Sequence, residues 1–213
     1  MGQNKSLLAV ALIEKIHHDC KYDECDEVFK LDKLSDHEKV CKHRSVSCPY
    51  ETCDKKLALS KLVDHLKSSR KCCLFVHSNN IMKGETVDNK RSFTVMATDP
   101  KMPKFGWKVR VFSHNDVKFV LHAKKSEDYY KINIVMFEAE EECSKYNVEM
   151  EVYKPNSPPA SRHSVKYRGS PSSVDKTKAE IENAGLSVHR EVMEKIALPD
   201  GDSIKFTVSF SFF

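Results

Sequence analysis

Cys20, Cys25 and His37 recur 28 residues later as Cys48, Cys53 and His65. These are the side chains with the clearest chemistry in the chain. Thiolate sulfur and imidazole nitrogen are the ligands of a tetrahedral zinc ion. A Cys pair five positions apart can sit on one tight turn with both sulfurs facing a single point. His37 and Cys41 are spaced i and i+4, which places them on one face of a helix. The first unit therefore offers Cys20, Cys25, His37 and Cys41. The second offers Cys48, Cys53 and His65. Its fourth ligand is read as Cys72, with Cys73 as the alternative, because the position 28 beyond Cys41 is Ser69. Four protein ligands leave no open position for a substrate, so two structural Zn²⁺ ions are expected, not a catalytic metal.

The elements that must position these ligands repeat with them. Phe29, Leu31, Leu34 and Asp36 return as Leu57, Leu59, Leu62 and Asp64. A short unit written twice with ligands in register indicates tandem metal modules. Disulfides are the other reading of eight Cys, but they belong to oxidising compartments and do not explain a recurring His. Leu31, Leu34 and Val40 are expected to cover the first metal from its helical side. Units this short have little core, so metal should supply much of their stability.

The rest of the chain is compositionally different. Seven of the eight Cys lie in the first 73 of 213 residues. Residues 1–19 read as an amphipathic N-terminal helix or linker, with Leu8, Ala11, Leu12 and Lys15 on one face. Glu14 and Lys15 follow the apolar run too soon for a secretory signal. Met1-Gly2 with Ser6 fits a myristoylation pattern. Residues 20–73 hold the two units and residues 74–91 read as a polar connector. From residue 92 to 213 the period becomes two. Phe93, Val95 and Ala97 alternate with polar neighbours, as do Trp107, Val109 and Val111, then Phe119, Leu121 and Ala123. Tyr130 to Met136, Tyr146 to Val152 and Ile204 to Phe212 continue the pattern. Short alternating strands separated by turns predict an all-β antiparallel sandwich. Pro155, Pro158 and Pro159 mark a loop, and Arg168 to Lys176 reads as an exposed Ser-rich loop whose Ser170, Ser172 and Ser173 could accept phosphate. Ala179 to Asn183 reads as a turn or two of helix. Glu138, Glu140, Glu141 and Glu142 read as a solvated loop, and Cys143 as a buried thiol.

Several classes are disfavoured. The net charge of +4 is mild for a nucleic-acid binder. Asp32, Asp36 and Glu38 put acid on the first helix, where a base-reading finger would carry basic side chains. In the second unit Lys61, Lys67, Arg70 and Lys71 read as a solvated face. No apolar run reaches the ~20 residues that span a bilayer. No Gly-rich phosphate loop, nucleophile motif or HExxH occurs, so no catalytic residue is assigned.

Two Cys/His units followed by a sandwich resemble the Seven in absentia (Sina/Siah) family over nearly the whole chain. Cys20-Lys21-Tyr22 and the Cys-x11-His-x3-Cys run are similar to its first finger. Ala97-Thr98-Asp99, Pro103 and Trp107 resemble the opening of its TRAF-like domain, and Leu186 to His189, Ala197-Leu198 and Ile204 to Val208 its closing strands. Leu12 to Ile16 resembles the helix that follows that family's RING, and no RING ligand set precedes Cys20. The resemblance implies a substrate-recognition adaptor that reads degron-like peptides for ubiquitin-dependent proteasomal degradation. The alternative is the substrate-binding part of a RING-type ubiquitin ligase whose RING lies outside this chain; a nucleic-acid-binding zinc-finger protein is a third reading. It further implies a homodimer, or a mixed dimer with a RING-containing relative, in the cytoplasm and also the nucleus. A ubiquitin-conjugating enzyme becomes a partner only where a RING is supplied. Family members add extended Pro-x-Ala-x-Val-x-Pro peptides to a sheet edge, a region that maps here to Phe105, Trp107 and Val109. The loop before Trp107 is one residue shorter than in the family, and Gly106 stands where the family has Asp.

Overall fold

A computed structural model describes residues 16–50, 53–68, 85–87, 90–100, 105–106, 110–114, 117–200 and 203–212. The expectations for residues 1–15, Cys72, Cys73, Trp107 and Val109 lie outside these.

The 28-residue repeat is a repeat of backbone. Strands β1 (His17–Asp19) and β2 (Val28–Lys30) precede helix α1 (Leu31–Val40). At the same offset, β3 (Ser45–Ser47), β4 (Lys56–Ala58) and α2 (Leu59–Ser68) follow. Both hairpins are antiparallel, pairing His17 with Lys30 and Ser45 with Ala58. The N-terminal reading is corrected at its end, since His17–Asp19 is strand. Closing the Cys20–Cys25 turn brings Val28–Lys30 alongside these residues, and pairing satisfies backbone groups that a helix ending there would leave to water.

Beyond the units lie two six-stranded sheets. In the first, β10 (Tyr129–Met136) pairs antiparallel with β9 (Val117–Lys125), setting Asn133 opposite His122. Strands β7 (Phe105–Gly106) and β8 (Arg110–His114) pair with β9. The second sheet runs β12 (Ser164–Gly169), β11 (Val148–Tyr153), β16 (Ser203–Phe212), β6 (Lys90–Pro100) and β5 (Glu85–Val87), with β15 (Leu198–Asp200) also on β16. The expected connector is therefore partly strand, because Glu85–Val87 turns back onto Lys90–Ser92.

The core lies between the sheets. Phe119, Leu121 and Ala123 of β9 and Tyr130, Ile132, Ile134 and Met136 of β10 meet Val148, Met150 and Val152 of β11 and Val208 and Phe212 of β16. These residues fall at every second position, as one face of a strand requires. Phe119 bridges the layers, its ring 4.5 Å from that of Phe212 and 5.7 Å from that of Phe112.

The Ser-rich stretch is the main correction in the sandwich. It contains β13 (Ser172–Ser173), a short parallel pairing with Val135 and Met136 at the end of β10. Both serines are buried, and the Ser173 hydroxyl donates to the Glu138 carbonyl at 2.7 Å. Ser172 and Ser173 are thus inaccessible to phosphorylation in the folded chain. The acidic run is not all loop either: Glu140–Cys143 forms helix α3. Burial raises the Glu138 carboxyl above the usual range, against the opposing pull of Arg44. Helix α4 (Lys178–Asn183) starts on a reciprocal capping box between Thr177 and Glu180. Strand β14 (Leu186–His189) then pairs with the first half of β10, and helix α5 (Arg190–Lys195) buries Met193. Gly185, at φ +86°, lets the chain pass flush over β10. A Cβ there would fall 2.5 Å from the Asn133 Cβ and the Ile132 oxygen. No helix among the described residues is long and apolar enough to cross a membrane.

Candidate metal centres

Each unit builds its ligand set in the same way. In the first hairpin the Cys20 amide donates to the Glu27 carbonyl, and the Cys25 amide to the Tyr22 carbonyl. In the second, Cys48 donates to Lys55 and Cys53 to Tyr50, each partner displaced by 28. Glu24 takes a left-handed φ of 72° just before Cys25, which tightens the first turn. The helix then carries His37 over the two thiols, and Cys41 follows its last residue.

The first four ligand atoms lie within 4.8 Å of one another. The Cys20 and Cys41 sulfurs are 3.9 Å apart, and the Cys25 sulfur is 3.4 Å from His37 Nε2. Tetrahedral bonds of about 2.3 Å to sulfur and 2.0–2.1 Å to nitrogen give edges of about 3.8 and 3.6 Å. The donor set and the spacing therefore fit a four-coordinate ion. In the second unit Cys48, Cys53 and His65 converge likewise, with the Cys53 sulfur 3.3 Å from His65 Nε2. Seven of the eight expected ligands are thus brought together in two clusters, and Cys72 lies outside the described residues.

The electrostatics of the two clusters differ. The His37 Nδ1 lies 3.3 Å from a Glu27 carboxylate oxygen, the outer partner that fixes a ligating ring's orientation. The Phe29 ring stacks on His37 with centroids 4.2 Å apart. The apolar cover of this centre is therefore Phe29. Of the residues expected to supply it, Leu31 and Val40 are exposed and Leu34 is half-buried, and α1 buries no residue. In the second unit Lys55 stands at the place of Glu27. Burial, and then the Lys55 charge, hold His65 below the usual imidazole range, which favours the neutral ring a metal needs. Burial also pushes the Cys41 thiol up to about 11, so a cation is required to hold it as thiolate at neutral pH.

Three residues that fix the centres relative to the sheets are invisible in the motif. Arg44 is buried and donates from Nε to Asp175 Oδ1 at 3.1 Å and from Nη2 to Oδ2 at 3.2 Å. Its Nη1 donates to the carbonyl of the ligand Cys41. Lys178 donates to the Cys53 carbonyl at 2.8 Å and to Asp54 at 3.0 Å. No local sequence signal marks these pairs, because more than 120 residues separate the partners.

Cys143 is buried as expected, and burial pushes its thiol up to about 12, which removes it as a nucleophile. Of the residues expected to hold a peptide, Phe105 lies on β7 opposite Lys125. Trp107 and Val109 fall outside the described residues.

The fold and the clusters define a mostly β protein with two Cys/His groups that could each hold a metal ion. The chain matches no family model, and no curated protein matches it.

Proposed function

We propose that this chain is a zinc-dependent peptide-recognition adaptor of the Seven in absentia type. In this reading it binds degron-like segments of other proteins and delivers them to ubiquitin-dependent degradation. The observation that carries it is the doubled Cys/His unit joined to a two-sheet β-sandwich, the second unit seated on a sheet face. Zinc is the assigned metal because three thiols and an imidazole at tetrahedral spacing suit a d¹⁰ ion with no redox chemistry. Cys20, Cys25, His37 and Cys41 hold one ion. Cys48, Cys53, His65 and Cys72 hold the other. Both ions are architectural, and the sandwich carries the recognition surface around Phe105, Trp107 and Val109. Two chains pair, with each other or with a RING-bearing relative that recruits the conjugating enzyme, in the cytoplasm and nucleus.

The test is titration of the zinc-loaded chain with a labelled Pro-x-Ala-x-Val-x-Pro peptide against a scrambled control. Micromolar, sequence-dependent binding is expected. A folded, zinc-loaded chain that fails to distinguish the two peptides would overturn the peptide reading. Ubiquitin transfer by this chain with a conjugating enzyme alone would instead favour a ligase.

A further inference from the structure

The two units share a backbone but not an outer face. In α2, Leu62, Val63 and Leu66 are buried. The corresponding positions of α1 are Leu34, Ser35 and Glu38, and none is buried. Glu38 instead pairs with Lys21 at 2.7 Å. The second unit thus presents an apolar stripe where the first presents a polar one.

That stripe has a defined seat. Val46, Leu62, Val63 and Leu66 form one packed cluster with Val120, Val135, Phe137, Val174 and Ile181 of the sandwich. Val120 and Val135 face away from the inter-sheet core, on the outer side of β9 and β10. The ligands Cys48 and Cys53 are members of the same cluster, and the Cys53 carbonyl is held by Lys178. None of the first unit's described residues belongs to that cluster or to the inter-sheet core. Among the described residues its links to the remainder are polar, through Lys61 to Glu24 and through Arg44 at its exit.

We infer that the second centre is a metal-dependent latch on the sandwich, whereas the first folds only its own unit and can be emptied alone. This rests on the reading that both clusters hold zinc. The physical reason is helix length. At ten residues neither helix is stable in isolation. Each needs the metal bridge from its His to the hairpin thiols. Loss of that bridge in the first unit releases a helix that, among the described residues, has no member in either core cluster. In the second it releases a helix whose Leu62, Val63 and Leu66 belong to the same packed cluster as Val120, Val135, Phe137, Val174 and Ile181. Metal removal there converts a covered sheet face into an exposed apolar one, the kind of surface that recruits partners or aggregates.

The experiment compares Cys25→Ser and Cys53→Ser in the full chain, reading bound zinc, amide exchange of β9 and β10, and binding of a hydrophobic dye. Each variant is expected to lose one of two zinc equivalents. Cys25→Ser should leave exchange at Val120 and Val135 within about twofold of wild type, while Cys53→Ser should accelerate it about tenfold or more and bind dye. Should Cys53→Ser prove insoluble, a Val63→Ser/Leu66→Glu variant decides, since it keeps every ligand but carries the first unit's face. It should retain both zinc ions and still expose the sheet. Wild-type protection in that variant, or equal deprotection by Cys25→Ser and Cys53→Ser, overturns the latch. A wild-type chain holding fewer than two zinc ions overturns the metal reading beneath it.

Discussion

Removing either partner of the Arg44–Asp175 pair should destabilise the chain, but not equally. The Arg44 side chain is 5% exposed and that of Asp175 36% exposed. In Arg44→Ala, Asp175 is exposed enough to rehydrate. The Cys41 carbonyl keeps the residue-44 backbone amide at 3.1 Å. Little is left orphaned, so the loss is that of the charge-assisted hydrogen bonds, about 2 kcal/mol. Asp175→Ala instead leaves a buried guanidinium whose remaining hydrogen-bond acceptor, among the described residues, is the Cys41 carbonyl at 3.2 Å. A buried charge that loses its partner costs about 3–5 kcal/mol, and the nearby Glu138 carboxyl with access for solvent through the Asp175 side places this case near the lower figure. The double variant should cost less than the sum of the two, with a coupling of about 1–2 kcal/mol. Urea unfolding at saturating zinc, followed by circular dichroism, measures all four corners of the cycle. A cheaper loss at Asp175 than at Arg44, or a coupling indistinguishable from zero, would refute the assignment of Arg44 as the buried strut.

Leu62→Ala should cost about 3 kcal/mol because Leu62 is fully buried, whereas its repeat counterpart Leu34→Ala should cost under about 1 kcal/mol, both by urea denaturation. Glu138 gives a pH signature. Its folded pKa is raised, chiefly by burial. Its contribution is therefore fully present below the unfolded value and lost as pH rises through the folded one. Glu138→Gln should unfold at higher urea than wild type at pH 7, with the gap closing below about pH 4. Glu27→Gln should weaken the first centre about tenfold, the lower end of outer-partner effects because Glu27 is mostly exposed, and leave the second unchanged. Competition with a chromophoric chelator reads both.

The metal clusters were legible in the sequence because coordination demands particular residue types at fixed spacing, and a repeat doubles that evidence. The strands around Phe119, Tyr130 and Val148 were legible because the face turned to the inter-sheet core recurs at every second residue. The pieces that escaped obey other rules. His17–Asp19 has no alternation of its own and becomes strand through its partner. Ser172 and Ser173 look like a solvent loop, yet a backbone carbonyl satisfies the Ser173 hydroxyl and permits burial. The exposure of Leu31 and Val40 goes with a first unit that, among the described residues, joins neither core cluster, which its own composition does not announce.

The junction between the units has a consequence for reach. Only Lys42, His43 and Arg44 separate the last ligand of the first centre from β3. Even fully drawn out, the backbone from Cys41 to Ser45 covers no more than about 14 Å. Arg44, fastened to Asp175, anchors the near end of that span. Cargo gripped by the first unit would therefore stay tethered beside the sandwich, at an effective concentration set by a leash only a few residues long. Two weak grips, one on each part, would then act as one strong one without either surface improving.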